Sequence, residues 1–135
     1  MPTRFLDTNV LLRYFTRDDP ERAAAALALL TRVEEGRERV VTSPLVIFET
    51  VFTLQKRYHL PKPDICQAIT DLVSMRGLQL PSKALWIAAL DLFATQNIPF
   101  ADAYNAVYLR SRGLSEIYSW DSDFDHLAGI RRVDP

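Results

Sequence analysis

Short apolar segments of this chain alternate with longer segments that carry the signals of helices. The segments typical of strands are residues 4–6, 39–42, 78–80, 116–120 and 131–133. Parallel strands need a crossover connection, which is usually a helix, whereas antiparallel strands can be joined by a tight turn. The alternation therefore predicts an α/β fold, a three-layer α/β/α sandwich in which helices cover both faces of a mostly parallel sheet.

Two pairs of residues mark the starts of helices. Asp19-Pro20 and Ser43-Pro44 each combine a helix-capping residue with a proline at the first helical position. The second pair matters because residues 45–54 are rich in β-branched and aromatic side chains, which by propensity alone favour a strand. The cap and the length of the segment favour a helix. Further helices are predicted over residues 10–15, 20–36, 63–75, 82–93 and 102–112, with one helical turn at residues 123–127.

Length and composition indicate one domain. The 135 residues are enough to form a hydrophobic core, so we expect a single domain over residues 1–135. The one cysteine, Cys66, excludes an internal disulfide and fits a reducing compartment. No signal peptide is visible, and the longest apolar run, residues 23–30, is far shorter than the ~20 residues that cross a bilayer. We therefore expect a cytoplasmic protein without a membrane partner. The net charge of −1 does not by itself indicate nucleic acid.

Four carboxylates stand in segments that are otherwise apolar. They are Asp7, Glu49, Asp102 and Asp121. A charge in apolar surroundings is costly unless it is paired or bound to a metal ion. Asp7 and Asp121 follow predicted strands, and functional groups of open parallel sheets gather at the carboxyl ends of strands. We therefore expect the four carboxylates to converge in one site.

Each of these carboxylates also has a simpler explanation. Asp7 could have no role beyond forming a turn or capping the first helix, and Asp102 could have no role beyond capping its own helix. Asp121 could be a surface residue, and Glu49 could lie at the edge of its helix. The simple explanation is the better one for Asp102 and Asp121 taken singly. The four residues taken together favour a shared acidic site.

The type of side chain indicates which ion such a site would bind. Carboxylates without a convergent set of His or Cys residues are typical ligands of a hard cation, Mg²⁺ or Mn²⁺. These ions bind phosphates, activate water and stabilise the leaving oxygen when a phosphodiester is hydrolysed. The two histidines, His59 and His126, are isolated in the sequence and do not indicate a His–His acid/base nuclease.

The segments around the four carboxylates resemble a known family. Residues 5–12, FLDTNVLL, resemble the opening signature of PIN-domain ribonucleases, especially the VapC-type toxins of prokaryotic toxin–antitoxin pairs. Glu49 within IFETV, Asp102 within FADA and Asp121 within YSWDSDF resemble the other acidic motifs, in the family's order. The resemblance covers nearly the whole chain.

The resemblance implies a fold, an activity and partners. The implied fold is a PIN-like domain with a parallel sheet of strand order 3-2-1-4-5. The implied activity is that of a Mg²⁺- or Mn²⁺-dependent endoribonuclease, with Asp7, Glu49, Asp102 and Asp121 as its catalytic and metal-binding residues. The implied partners are an RNA substrate, a small antitoxin that inhibits the enzyme, and often a second copy of the chain.

Some details of the implied site stay open. Asn105 stands where a further acid is common in the family, which leaves the number of bound metal ions open. Either Asp121 or Asp123 is the principal ligand of the fourth motif, and Asp121 is favoured because it follows the predicted strand. The resemblance implies that three further side chains orient the carboxylates or a water molecule. They are Thr8, Asn9 and Ser119.

Two other functions are alternatives. A phosphatase with an aspartate nucleophile would use Asp7, but such enzymes usually carry a second aspartate two positions later, where this chain has Asn9. A degenerate PIN-like binding module would lack catalysis, and the presence of all four acids counts against it.

Overall fold

The computed structural model describes residues 2–135, in which strands and helices follow one another in the predicted order. The strands are β1 (Arg4–Phe5), β2 (Val40–Val41), β3 (Leu78–Gln79), β4 (Glu116–Tyr118) and β5 (Arg131–Val133). The helices are α1 (Thr8–Thr16), α2 (Pro20–Glu34), α3 (Pro44–Lys56), α4 (Lys62–Val73), α5 (Lys83–Thr95) and α6 (Phe100–Ser111), with a 3₁₀ helix at Ser122–His126. The contacts of the chain divide it into two compact units, the first ending at Lys83 and the second formed by Ala84–Pro135.

The first unit is built on a parallel sheet of order β1-β2-β3. Beyond the paired residues, the amide of Leu6 donates a hydrogen bond to the carbonyl of Val41 at 2.8 Å. The buried hydroxyl of Thr42 also donates to the carbonyl of Leu6, at 2.9 Å. Both bonds fix the carboxyl end of β1, the point at which Asp7 follows.

Helix caps in the first unit form as the sequence predicts. The side chain of Asp19 accepts a hydrogen bond from the amide of Arg22 at 3.2 Å, and that of Ser43 accepts one from Val46 at 3.3 Å. The helical assignment of the β-branched segment after Ser43 is therefore confirmed. Its inward side chains join a core of fully buried residues, which includes Leu11, Leu30, Val33, Ile47, Leu54, Ile65, Ile69 and Leu72.

The second unit combines two helices with a pair of parallel strands. Glu116 pairs with Arg131 and Tyr118 with Val133, so β4 and β5 are parallel. Aromatic rings pack between α5 and α6: the ring centroid of Phe100 lies 5.4 Å from that of Phe93 and 6.2 Å from that of Trp86. This packing fixes the first turn of α6, which carries Asp102.

The predicted fold class is confirmed by this architecture, in which the strands are parallel and helices connect them. The strand orders 3-2-1 in the first unit and 4-5 in the second agree with the predicted order. The single domain over residues 1–135 stays a prediction. Over the described range, residues 2–135, the helices are too short or too polar for any of them to span a membrane.

Candidate metal centre

Three carboxylates of the second unit lie close together. One carboxylate oxygen from each of Asp102, Asp121 and Asp123 lies within 4.8 Å of the other two. Asp102 belongs to α6, and the other two residues begin the 3₁₀ helix, which contacts α6. We refer to these three residues as the acidic cluster.

Asp102 lies in the first turn of α6 and does not open the helix. The helix begins at Phe100, because Pro99 supplies the extended conformation that precedes it, with φ −61° and ψ 152°. The predicted start at residue 102 is therefore two residues late. At this position the unpaired backbone amides of the helix terminus favour a negative charge. One carboxylate oxygen, Oδ2, is buried and has no hydrogen-bond partner among the residues that the structure describes.

A chain of local hydrogen bonds places the other two carboxylates. The amide of Asp121 donates to Oγ of Ser119, and Oδ1 of Asp121 accepts from the amide of Asp123, each at 2.9 Å. Phe124 is buried just after them and anchors the turn. The strand itself ends earlier than predicted, at Tyr118, where its pairing with β5 stops. Asp121 is therefore the cap of the 3₁₀ helix and not the last residue of a strand.

The electrostatics of the acidic cluster are unfavourable without a cation. Burial is the main cause that raises the pKa of Asp102 to about 6. The negative charges of Asp121 and Asp123 raise this pKa further, as does a hydrogen bond between the carboxyl groups of Asp102 and Asp121. A carboxylate whose ionisation is opposed in this way gains the most from a bound positive charge. The raised pKa also makes Asp102 a candidate functional residue on physical grounds.

The acidic cluster fits a hard divalent cation. Its donors are all carboxylate oxygens, the ligands that Mg²⁺ and Mn²⁺ prefer. The unpartnered oxygen of Asp102 offers a buried ligand, whereas Asp121 is exposed. A cation held by these groups would keep positions open for water and for a substrate oxygen.

Asp7 and Glu49 belong to the first unit. Asp7 is exposed and precedes α1 in an extended conformation, but its side chain makes no capping hydrogen bond, so capping does not explain it. Glu49 is also exposed, and the prediction that it is embedded in apolar surroundings is wrong. The helical repeat places Glu49 on the solvent-facing side of α3, which also carries the exposed side chains of Leu45 and Phe52. The buried residues of α3 are Val46, Ile47, Thr50, Val51 and Leu54.

The structure thus brings together two of the four predicted residues, Asp102 and Asp121, and adds Asp123. The sequence left the role of Asp123 open, and the signal for Asp123 was its position two residues after Asp121, which follows the predicted strand. The participation of Asp7 and Glu49 in the same site stays a prediction.

The raised pKa of Asp102 predicts how pH affects the stability of the metal-free protein. The folded state binds the Asp102 proton more tightly than the unfolded state, so the stability that this proton contributes is present below pH 3.8 and is lost as the pH rises through about 6. We expect Asp102→Asn to raise the free energy of unfolding at pH 7.5 by about 1 to 2 kcal/mol, because partial exposure reduces the effect.

Urea unfolding in EDTA at pH 4 and pH 7.5 measures this effect. The difference between the variant and the wild type is expected at pH 7.5 and should be several-fold smaller at pH 4. Asp91→Asn, which changes an exposed acid of α5, is the control and should leave stability unchanged at both pH values. A difference that is the same at both pH values would contradict the prediction.

The family model described as "PIN domain" matches residues 4–130. A similar solved structure is that of VapC20 from Mycobacterium tuberculosis, described as a sarcin–ricin loop cleaving toxin. The two chains are 22% identical, the alignment covers 98% of this chain and 99% of that one, and the TM-score is 0.41. No curated protein matches the chain. The match to the family model includes every candidate acid from Asp7 to Asp123.

Proposed function

The chain belongs to the PIN-domain family, and from this premise we propose that it is a metal-dependent endoribonuclease, the toxin of a toxin–antitoxin pair. The observation that carries the proposal is the acidic cluster, three carboxylates within 4.8 Å of one another in a chain of this family. Like charges at this separation repel one another, and a divalent cation is the simplest means of balancing them.

The metal ion is Mg²⁺ or Mn²⁺ in this proposal. The residues that would hold it are the acidic cluster together with Asp7 and Glu49, whose motifs the sequence matches to the family. When bound, such a cation supplies an activated water molecule and stabilises the charge that develops during phosphodiester hydrolysis.

The protein's own residues divide the remaining work. Asp102 provides a half-buried carboxylate from a fixed helical turn, so its position changes little when the substrate binds. The carboxylate of Asp121 is exposed and is accessible to water and to an RNA phosphate. Ser119 and the cap of the 3₁₀ helix orient Asp121 and Asp123 toward Asp102. RNA is excluded from this negative surface until a cation is bound, because phosphate and carboxylate repel each other.

The partners follow from the same proposal. The substrate is RNA, the inhibitor is a small antitoxin, and the chain functions as a homodimer of one-domain subunits spanning residues 1–135. Toxin, antitoxin and target RNA are all made in the cytoplasm, so we place the activity there. VapC20 is described as cleaving the sarcin–ricin loop, and structured RNA loops of this kind are a substrate class to test first.

The proposal is tested by cleavage of a mixed RNA pool that includes ribosomal RNA. The purified protein is incubated with Mn²⁺, with Mg²⁺ and with EDTA, and the products are mapped by primer extension. Cuts at defined positions that need a divalent cation are the expected result. Cutting that persists in EDTA would contradict metal dependence. The absence of both cutting and Mn²⁺ binding would favour a PIN-like binding module without catalysis.

A further inference from the structure

Arg132 lies outside the sequence motifs that carry the candidate acids. Its side chain nevertheless makes several hydrogen bonds near the acidic cluster. It lies in β5 opposite Ile117 of β4, and its side chain is 23% exposed. Nε and Nη2 donate to the two carboxylate oxygens of Asp125, at 2.9 and 3.3 Å. Nη1 donates to the carbonyl of Ser119 at 3.3 Å and to the carboxylate of Asp134 at 2.7 Å. The guanidinium thus forms a bidentate ion pair with Asp125 and also donates to the backbone carbonyl of Ser119.

Two of these contacts lie on either side of Asp121 and Asp123 in the sequence. Ser119 comes two residues before Asp121, and Asp125 comes two residues after Asp123. Between the two anchors, the amide of Asp121 bonds to Ser119 and the amide of Asp123 bonds to Asp121. Arg132 therefore closes a ring of hydrogen bonds around the segment that carries two of the three carboxylates. Both ends of this segment are tied to one guanidinium group.

We propose that Arg132 is a positioning residue, which holds residues 119–125 in the conformation that keeps Asp121 and Asp123 beside Asp102. The inference rests on the proposed metal-dependent function, because it concerns the affinity of the acidic cluster for a cation. Arg132 acts through Ser119 and Asp125 and does not itself touch the cation or the RNA.

The charge of Arg132 and its shape have opposite effects on cation binding, so they can be separated. Loss of the positive charge would strengthen the binding of a cation to nearby carboxylates. Loss of the planar donor group would loosen the segment and weaken binding. Arg132→Lys keeps the positive charge but removes the bidentate ion pair with Asp125, because an ammonium group cannot reproduce the guanidinium geometry. This variant therefore isolates the positioning effect.

The neighbouring arginine offers a matched control. Arg131 lies on the same strand, is 70% exposed, and pairs with Glu116 of β4, which carries no residue of the acidic cluster. Arg131→Lys makes the same chemical change one residue away. Any effect of arginine content or of general strand stability would be common to both variants.

The first experiment measures Mn²⁺ dissociation constants by isothermal titration calorimetry at pH 7.5. Arg132→Lys is expected to weaken Mn²⁺ binding by about three- to tenfold, at or below the lower end of the effects seen when residues behind metal ligands are changed. Arg131→Lys should bind as tightly as the wild type. In metal-free protein, the amide of Asp123 should also exchange with solvent about tenfold faster in Arg132→Lys, because its hydrogen bond opens more often.

A second pair of variants tests the same inference by changing the carboxylates that pair with Arg132. Asp125→Asn and Asp134→Asn each remove one negative charge that pairs with Arg132, but only Asp125 belongs to the bracketed segment. We expect Asp125→Asn to weaken Mn²⁺ binding more than Asp134→Asn does. This pair also decides the matter if Arg132→Lys does not fold.

The outcomes separate the positioning role from the proposed function. Wild-type protein that binds no Mn²⁺ would overturn the metal centre and the inference together. Wild-type protein that binds Mn²⁺, with Arg132→Lys equal to Arg131→Lys and Asp125→Asn equal to Asp134→Asn, would overturn the positioning role alone. In that case Arg132 would only stabilise the fold.

Discussion

Asp102→Asn is expected to lower the rate of Mn²⁺-dependent RNA cleavage by at least about a hundredfold, a loss typical of removing a group that acts directly in catalysis. The substitution keeps the size of the side chain and removes its charge. It also replaces one carboxylate oxygen with an amide NH₂ group and so weakens the ligand at the position of the buried Oδ2, which finds no partner among residues 2–135 and which we assign to the cation. The measurement is the initial rate of cleavage of a defined RNA substrate at fixed Mn²⁺.

The design of this experiment excludes loss of folding as an explanation. In metal-free buffer at pH 7.5 the variant is expected to be more stable than the wild type, since burial and the neighbouring carboxylates raise the pKa of Asp102. Lower activity combined with higher stability is the pattern of a functional site whose charges oppose folding. Asp91→Asn, on the exposed side of α5, should cleave at the wild-type rate. Wild-type cleavage by Asp102→Asn would remove this residue from the site.

The sequence predicted the elements that depend on local chemistry. The helix after Ser43 was assigned from its cap and proline, although its β-branched residues favoured a strand, and the hydrogen bond from Val46 to Ser43 confirms the assignment. The parallel pairing followed from the alternation of strands and helices. Membership of the PIN-domain family, suggested by the motifs around four acids, is confirmed by the family model.

The sequence failed where the position of a side chain depends on how a helix faces the core. The neighbours of Glu49 along the chain are apolar, which suggested a buried position, yet the helix directs Ile47 and Val51 into the core and leaves Glu49 exposed. The start of α6 was placed at Asp102, because an aspartate in that position is a common cap, while the cap is in fact Pro99.

The arrangement of the candidate site could be predicted only in part. Asp102 and Asp121 were expected to converge, and the structure brings them together. The inclusion of Asp123 depends on the turn after β4, and the strand ends earlier than its apolar sequence suggests. Arg132 gave no signal at all, because a surface arginine in the sequence does not reveal which backbone segment it holds. Such contacts arise from tertiary packing and not from local propensity.

Saturation with Mn²⁺ is expected to raise the free energy of unfolding of the wild type by about 2.7 kcal/mol at a concentration one hundred times the dissociation constant. For a chain of this length the melting temperature should rise by roughly 10 °C. The reason is that the folded protein alone presents Asp102, Asp121 and Asp123 together. Differential scanning calorimetry, with ionic strength matched by KCl to exclude charge screening, measures the shift.

The same gain should depend on pH in a defined direction. The pKa of Asp102 is about 6 in the metal-free protein, so Mn²⁺ must displace a proton at pH 5 but not at pH 7.5. The affinity of the protein for Mn²⁺ should therefore be about tenfold lower at pH 5 than at pH 7.5. At the same Mn²⁺ concentration the gain would then be about 1.4 kcal/mol. Asp102→Asn should lose most of the gain at pH 7.5, while Asp91→Asn should keep it. An equal gain at both pH values, or in Asp102→Asn, would mean that Mn²⁺ binds elsewhere on the protein.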